Sequence, residues 1–515
     1  MTSIFHYFPF LAIFTLLLAA LIIFLFKIFR VKFPYVWLIS TLTIIVAWVL
    51  VLLSRGGMPY IVDAAQLLTV SENLGIPSLF IDTISWSLAL TLISFSLVVY
   101  FTLVIYPVQM DWLSLMGGLV MTAFVLSITL ARDVMWIMAS WAVIDFMEFI
   151  LLFFRIKEKD RIEGLIKNYS MRIISMMLFL WGMSDTSVLI IAATLRLMII
   201  PAGNISPKEI DLPKSMLYFL SMISPASSMI VFSRISLTTT TGQYNPIFLV
   251  LFLVLGLFTA IQWCLAKDAF EGRRYWILTI GLFSGMAALR GLPIASISWG
   301  ITLLLGGGIL FFEERTSRKP LFSYVGLLAI TSLPFMPTWD GASLYTTVPN
   351  YSLVLLVISQ SLVVAGYFKH LNARDSEKPA LEPWVKVIDS GRMLLMIGVY
   401  WLIAYLLWRD GILLSNSAPV IMPKQIIDYY IGLIVVIVSL LMLIFDKSQN
   451  RFVLRIKPII MPKISMTWVK KAGESIFRFL GSVMEGISSL IEGESGILLT
   501  LLLLALVITF FILGG

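Results

Sequence analysis

Apolar stretches of about 20 residues follow one another along nearly the whole chain, separated by short polar connections. A bilayer has a hydrocarbon core roughly 30 Å thick, which an α-helix crosses in about 20 residues, and every backbone polar group inside it needs a partner. This pattern restricts the chain to a bundle of membrane-spanning helices. Of 515 residues only 13% are charged, against about 25% in soluble domains, so a water-soluble fold is excluded.

The pattern predicts an all-α polytopic membrane protein with about 14 to 16 transmembrane helices. The expected spans lie near residues 5 to 27, 34 to 53, 82 to 105, 112 to 130, 134 to 154, 171 to 184, 186 to 201, 214 to 235, 246 to 266, 275 to 291, 293 to 312, 321 to 338, 350 to 368, 391 to 408, 428 to 445 and 497 to 513. The longest polar connections, 54 to 81 and 369 to 390, are expected to be loops.

The net charge of +8 comes mainly from basic residues in alternate connections, which is the positive-inside pattern and does not indicate a nucleic-acid partner. With the N-terminus outside, the connections on the inner side contain Lys27, Arg30 and Lys32, then Arg155 to Lys167, Lys208 and Lys214, Lys267 to Arg274, Arg315 to Lys319, and Lys369 to Lys378. The first apolar stretch has no basic region before it, so we expect a retained helix. The chain is expected to lie in the inner (cytoplasmic) membrane.

The sequence predicts neither a metal site nor a cofactor. Cys264 is the single cysteine, and His6 and His370 lie far apart, so no ligand cluster is visible. The chain also has no Gly-rich dinucleotide fingerprint in a strand–helix context. At most, we expect a non-redox membrane subunit whose partners carry any redox chemistry.

Charged residues inside apolar spans are costly to bury and are therefore functional candidates. Asp145 and Glu148 lie three residues apart on one face of the fifth span, and Arg196 lies in the seventh. The carboxylates are either a proton-accepting pair or a pair that binds Arg196 or another basic residue and holds helices together. Asp82 and Asp133 stand at helix starts, where a helix-end carboxylate is the favoured interpretation.

Two spans contain a proline that predicts an interrupted helix, at residues 195 to 201 and 332 to 337. Residues 462 to 489 place apolar side chains at intervals of three and four, which predicts an amphipathic helix on the membrane interface or on a partner. An ordinary connector is the alternative interpretation of this segment.

Several motifs resemble those of the antiporter-like, proton-channel subunits of NADH:quinone oxidoreductase, Mrp antiporters and membrane-bound hydrogenases. Residues 133 to 149 resemble the fifth-helix motif, an entrance Asp followed by Trp-Glu-Leu-Met-Ser, with Trp141 matched. The family's glutamate falls on Ala142, so the acidic function is either lost or moved to Asp145 or Glu148. Arg196 with Pro201 resembles the Lys-x-x-x-x-Pro of the interrupted seventh helix, with arginine in the lysine position.

The resemblance continues in the second half with further substitutions. The family's eighth-helix lysine falls near Ala226, and Glu271 with Arg273 resembles its Asp-x-Lys-Arg loop. Residues 296 to 312, similar to the eleventh helix, contain no ionisable side chain. Residues 332 to 341 resemble the signature of the interrupted twelfth helix, and alignment on Pro337 and Gly341 puts Tyr345 in place of the family's Lys or Glu. Asp340 is a further candidate for an ion path.

The resemblance implies a fold of fourteen core helices with two inverted five-helix repeats. We divide the chain into N-terminal helices (1-75), an antiporter-like core (76-370), C-terminal helices (371-461), the amphipathic helix (462-492) and a terminal anchor (493-515). The implied function is a membrane-arm subunit of a complex I-type ion-translocating assembly with a degenerate proton path, rerouted or inactive. The alternatives are a non-conducting scaffold for partner subunits, and a subunit of an Mrp-type antiporter or inorganic-carbon uptake complex.

Overall fold

The computed structural model shows a helical bundle built from the apolar spans. It describes residues 4–29, 35–63, 78–105, 111–156, 159–182, 185–201, 205, 210, 212–238, 246–312, 321–348, 350–372, 382–415 and 426–448. Residues Met1–Leu443 form one compact unit. The second unit, Ile444–Gly515, is described only at its beginning, where the last described helix ends.

Most helices lie within a few residues of the expected spans. The helices are α1 (Phe8–Ile28), α2 (Val36–Leu53), α3 (Thr83–Ile105), α4 (Trp112–Leu130), α5 (Val134–Phe153), α6 (Lys159–Trp181), α7 (Thr186–Met198), α8 (Lys214–Thr238), α9 (Pro246–Leu265), α10 (Ala269–Leu289), α11 (Pro293–Phe312), α12 (Leu321–Ala329), α13 (Asn350–Asn372), α14 (Pro383–Ser415) and α15 (Ile426–Ser448). Within the described ranges, ten helices are long and apolar enough to cross a membrane. The chain is therefore a multi-pass helical membrane protein.

Three helices differ clearly from their expected spans. α12 ends at Ala329 instead of near residue 338, α14 covers Pro383–Ser415 instead of residues 391 to 408, and α6 begins early. The sixth span was expected to begin near residue 171, but α6 begins at Lys159. Its first half is polar and has no continuous apolar run. Apolar side chains nevertheless recur there at Ile162, Leu165 and Tyr169, so one face can pack while the other remains polar.

The connection from 54 to 81, expected to be a loop, contains a small antiparallel hairpin. Strands β1 (Tyr60–Asp63) and β2 (Ser78–Ile81) pair with Tyr60 opposite Ile81. The Tyr60 hydroxyl donates to the carbonyl oxygen of Ser54 at 2.6 Å, and burial raises the pKa of Tyr60 to about 12. At neutral pH this hydroxyl is therefore a neutral donor that fastens the hairpin to the end of α2.

Contacts between connections agree with the alternating topology. Ile156 and Ile210 form a β-bridge, and both follow spans expected to end on the inner side. Arg55 binds Asp410 at 3.0 Å, and both belong to connections expected on the outer side. The alternation is thus consistent within the bundle, while the absolute orientation of the N-terminus stays a prediction.

A helix ends at each of the two places where an interruption was expected. α7 ends at Met198, and Ile199 is extended with φ −93° and ψ 100°. α12 ends at Ala329, after which Ser332 and Phe335 have positive φ values of 56° and 66°. A short helix, Ser343–Thr347, follows the second interruption. The expected amphipathic helix and the span near 497 to 513 lie outside the described residues, and the inverted repeats stay a prediction.

Candidate functional site: a buried charge cluster

Four charged side chains from three consecutive helices meet inside the first half of the bundle. Asp145 and Glu148 lie on the buried face of α5, Arg172 lies on α6, and Arg196 lies on α7. Asp145 is 5% exposed, and the other three are fully buried. We refer to these four residues as the charge cluster.

Asp145 and Arg196 form a two-point ion pair. Nη1 of Arg196 donates to Oδ2 of Asp145 at 2.9 Å, and Nη2 donates to Oδ1 at 2.8 Å. Two parallel bonds fix both the distance and the relative orientation of the planar groups, which a single contact does not. The pair therefore joins α5 to the last turn of α7.

Arg172 connects the two carboxylates and the end of α7. Its Nη1 donates to Oδ1 of Asp145 at 2.9 Å and to Oε2 of Glu148 at 2.6 Å. Its Nε and Nη2 reach the carbonyl oxygen of Ile199 at 3.3 Å and 3.2 Å. The helix interruption before Pro201 leaves carbonyl groups without helical partners, and Arg172 supplies donors to one of them.

Aromatic and hydroxyl groups surround Arg196. Its guanidinium lies 4.5 Å from the ring centroid of Trp141, close enough for a cation–π interaction. Nε1 of Trp141 donates to Oγ of Ser227 on α8 at 2.8 Å, and that hydroxyl donates to the carbonyl oxygen of Ser224 at 2.6 Å. Trp141 thereby links the charge cluster to α8.

The cluster is balanced in charge, because two guanidinium groups face two carboxylates. Arginine stays protonated under ordinary conditions, so neither base in the cluster can exchange a proton as a lysine can. Oε1 of Glu148 has no hydrogen-bond partner among the described residues, whereas the other three carboxylate oxygens of the cluster each accept at least one bond. The arrangement can hold helices together, and it leaves Glu148 as its single incompletely bonded acid.

The structure brings together three of the four ion-path candidates. Asp145, Glu148 and Arg196 share the cluster, whereas Asp340 lies on a 3₁₀ turn after the second interruption, where its carbonyl oxygen accepts a hydrogen bond from Ser343. Ala142, one turn before Asp145 on α5, is exposed.

The helix-start carboxylates bind partners at the ends of spans. Asp82 accepts two hydrogen bonds from Arg234, at 2.6 Å and 3.1 Å. Asp133 accepts one from the Ser78 hydroxyl at 3.0 Å. Asp82 also caps α3, because its Oδ1 accepts from the backbone N–H of Ser85 at 2.8 Å, whereas the Asp133 side chain makes no such cap bond to α5.

The remaining motif residues occupy structural positions. Buried Pro201 follows the end of α7, and Glu271 donates its backbone N–H to the Asp268 side chain at 2.8 Å in the first turn of α10. Arg273 is buried and donates to the carbonyl oxygens of Phe270 and Ile205 at 2.6 Å and 2.9 Å. The carbonyl oxygens of Pro337 and Gly341 accept hydrogen bonds from Ser298 and Trp299 of α11 at 3.0 Å and 3.3 Å.

Sequence reasoning missed Arg172, although it binds both carboxylates. It stands at the boundary between the polar first half of α6 and its apolar second half, where the charge looks like the end of a loop. The available signal was charge balance, because two buried carboxylates need more than the one cation at Arg196.

Around the middle of α11, neutral groups make the described side-chain hydrogen bonds, whereas buried Arg392 donates to the carbonyl oxygen of Phe312 at the end of this helix at 2.8 Å. α11 contains a π-helical turn, Thr302–Gly306, whose Leu303 and Gly306 carbonyl oxygens accept from Trp276 Nε1 at 3.0 Å and the Tyr367 hydroxyl at 3.2 Å. The hydroxyls of Thr302 and Tyr400 lie 2.7 Å apart. Tyr345, at the position of the family's Lys or Glu, donates to Gln360.

The described residues contain no group of three or more His, Cys, Asp or Glu side chains that could hold a metal ion. No protein-family model matches the sequence. No curated protein matches it either.

Comparison with solved structures identifies the fold. A chain of the Mrp complex from Dietzia sp. DQ12-45-1b matches 98% of this chain with a TM-score of 0.64 and 11% identity, and this chain covers 63% of its length. A chain of the membrane-bound sulfane sulfur reductase, an archaeal respiratory membrane complex, matches 96% of this chain with a TM-score of 0.64 and 13% identity, with 99% of that chain covered. A chain of respiratory complex I from Thermus thermophilus matches 77% with a TM-score of 0.57 and 14% identity, with 98% of that chain covered.

These matches define the class: a multi-pass membrane protein with the antiporter-like fold. The resemblance that the sequence motifs indicate is thus confirmed at the level of the fold. The three similar chains each come from a membrane complex.

Proposed function

We propose that this chain is an antiporter-like subunit in the membrane part of a complex I-type or Mrp-type assembly, and that it has no working side-chain proton relay of its own. It would then lie in the inner (cytoplasmic) membrane beside other membrane subunits and help to build the membrane part of the complex. The fold supports the class of subunit, and the charge cluster supports the loss of the relay.

The main support for this proposal is that both carboxylates of the cluster are hydrogen-bonded to arginine. A proton relay needs groups that take up and release protons between states. Arg172 and Arg196 remain charged, and each binds Asp145 with distances of 2.8–2.9 Å. Since moving either carboxylate to a neutral state leaves an arginine without its full counter-charge, the cluster favours one fixed protonation state.

The interior of the second half supports the same proposal. A path from the cluster across the membrane would need titratable groups or a continuous line of water. Near the middle of α11, the described bonds come from indole, phenol and hydroxyl groups. Ala226 stands near the position of the family's eighth-helix lysine, and Tyr345 stands at that of its Lys or Glu. Neutral groups of this kind satisfy the backbone without exchanging protons at neutral pH.

The test neutralises both acids in the intact complex, with Asp145→Asn plus Glu148→Gln. We expect less assembled complex in the membrane, because Arg172 and Arg196 lose their counter-charges. We also expect unchanged proton transport per assembled complex. A balanced variant, Glu148→Gln with Arg172→Gln, keeps the Asp145–Arg196 pair and should assemble better. Normal assembly with lost transport in the acid-only variant would contradict the proposal.

A rerouted proton path through Glu148 is the second candidate, because its Oε1 has no partner among the described residues. The single substitution Glu148→Gln distinguishes a structural role of Glu148 from a rerouted proton path. It leaves the Asp145–Arg196 pair intact, so a structural role predicts transport per complex like that of the unaltered protein. A rerouted path predicts loss of transport.

The kind of assembly is open to a direct test, since chains from an Mrp complex and from a respiratory reductase match with the same TM-score. Mild solubilisation followed by identification of the copurifying proteins distinguishes a complex I-type from an Mrp-type assembly. Redox subunits would indicate a complex I-type assembly, and further antiporter subunits without redox partners would indicate an Mrp-type assembly. A chain that purifies alone would contradict both.

A further inference from the structure

The segment between α12 and the short helix Ser343–Thr347 is strained. Ser332 and Phe335 both have left-handed backbone conformations, with φ values of 56° and 66°. Residues with a Cβ adopt this region rarely and at an energetic cost, so such a conformation persists only where its surroundings impose it. Contacts with the surrounding bundle must therefore stabilise the conformation of residues 330–339.

One amide side chain contacts the segment at two points and the following short helix at a third. Nε2 of Gln360, on α13, donates to the carbonyl oxygen of Ile330 at 2.9 Å and to Oγ of Ser332 at 2.9 Å. Its Oε1 accepts a hydrogen bond from the Tyr345 hydroxyl. Gln360 is fully buried, as is Ser332. A single planar group therefore ties the end of α12, a strained residue and the following short helix to α13.

Thr338 holds the segment from the other side. Its Oγ1 accepts from the backbone N–H of Ser332 at 2.9 Å and donates to the carbonyl oxygen of Ala329 at 2.8 Å. The helix end at Ala329 thereby gains a donor that the broken helix cannot supply. The carbonyl oxygen of Ile330, the next residue, accepts its bond from Gln360 instead.

We propose that Gln360 is the latch of the second helix interruption, a positioning residue whose amide keeps residues 330–339 closed in their strained conformation. Irregular backbone at membrane depth is tolerated only where protein satisfies its polar groups. Glutamine fits this place because one amide provides two N–H donors and one acceptor. Loss of the two N–H donors leaves the Ile330 carbonyl unpaired. Residues 330–339 can then leave their strained conformation, because doing so relieves the backbone strain. The inference rests on local geometry and is independent of the proposed function.

The experiment is hydrogen–deuterium exchange on the full chain in lipid nanodiscs, followed in peptides that cover residues 330–339. Gln360→Glu keeps the shape and an acceptor for Tyr345 but lacks the two N–H donors. An ionised carboxylate has no donor, and a protonated one has a single O–H for the two acceptors at Ile330 and Ser332. We expect exchange in this segment to be about fivefold faster if one hydrogen bond of about 1 kcal/mol is lost, and about thirtyfold faster if both are lost. Peptides from α4 and α9 should be unchanged.

Gln262→Glu is the matched control, since Gln262 is a buried glutamine on α9. It places the same carboxylate in the bundle away from the segment. Exchange in 330–339 that stays normal in Gln262→Glu and rises in Gln360→Glu supports the latch. Equal effects of the two substitutions, or no rise with Gln360→Glu, would overturn it.

Tyr345→Phe gives a milder second test that retains both donors of Gln360. It removes one bond from the latch and keeps the ring, so the chain should accumulate even if Gln360→Glu does not. We expect exchange in 330–339 to rise about threefold, which is the lower end of the effect of one hydrogen bond. Exchange in Tyr345→Phe at the rate of the unaltered chain would overturn the proposal.

Discussion

Asp145 on α5 and Arg196 on α7 are joined by two parallel hydrogen bonds of 2.9 Å and 2.8 Å, with Arg196 fully buried. The same carboxylate also accepts a bond of 2.9 Å from Arg172 on α6. Three helices thus meet at one acidic group. Their relative positions depend on charge pairing in a region where unpaired charge is expensive.

Arg172→Met should destabilise the fold strongly. It leaves Glu148 buried without its cation, and breaking a buried ion pair in this way costs about 3–5 kcal/mol. Equilibrium unfolding in mixed micelles measures the change. Arg409→Met is the control, because Arg409 is 49% exposed in its pair with Asp410 and should contribute at most about 1 kcal/mol.

Replacing both partners should recover part of that loss. Arg172→Met with Glu148→Leu removes the unpaired charge, and apolar replacement of a buried pair is often neutral or stabilising. The bonds from Arg172 to Ile199 are still lost, so recovery will be incomplete. A double variant no more stable than Arg172→Met would show that the carboxylate of Glu148 is not the source of the penalty.

Trp141 and Ser227 should be energetically coupled. Trp141→Phe keeps an aromatic ring near Arg196 but removes the Nε1 donor, and Ser227→Ala removes its acceptor. We expect a coupling energy of about 1 kcal/mol in a double-mutant cycle. Strictly additive losses in the unfolding free energy would mean that the hydrogen bond contributes nothing.

Phe335 offers a test of backbone strain at a side chain that is 74% exposed and has φ 66°. Glycine adopts this conformation without a steric penalty because it has no Cβ, whereas alanine has a Cβ and retains the penalty. Phe335→Gly should therefore be more stable than Phe335→Ala by about 1 kcal/mol. The reverse order in thermal unfolding would indicate that the left-handed conformation carries no strain.

Gly432 allows α15 to approach the second interruption closely. A Cβ at this position would lie 2.5 Å from the carbonyl oxygen of Ser332 and 2.7 Å from the backbone nitrogen of Leu333. Gly432→Ala must displace backbone and should lower the unfolding midpoint. Gly398→Ala on α14 meets nothing within 4 Å and should gain about 0.5–1 kcal/mol. A tolerated Gly432→Ala would contradict this packing.

Helix positions could be predicted from the sequence because hydrophobic length is a local property, and α4 matches its expected span at both ends. The start of α6 could not be predicted in this way, because its first half is polar and packs along only one face. The same limit applies to Arg172, whose two carboxylate partners lie on another helix.

The site was predicted in part. Helical spacing puts Asp145 and Glu148 on one face, and burial of their charges is a direct consequence. Motif alignment suggested Ala142 as the position of the family's acid, but that side chain is exposed, and a difference of three residues places Asp145 inside instead. Gln360 carried no signal, because a neutral amide in an apolar span becomes informative only when its acceptors are known.

The most direct measurement is infrared difference spectroscopy of the intact complex between its resting and turnover states. It monitors the carbonyl stretch of protonated carboxyl groups, with Asp145→Asn plus Glu148→Gln for assignment. If arginine holds both carboxylates in one protonation state, the unaltered and substituted complexes will give the same carboxyl bands. A band that changes during turnover in the unaltered complex and disappears in the substituted one would contradict the account.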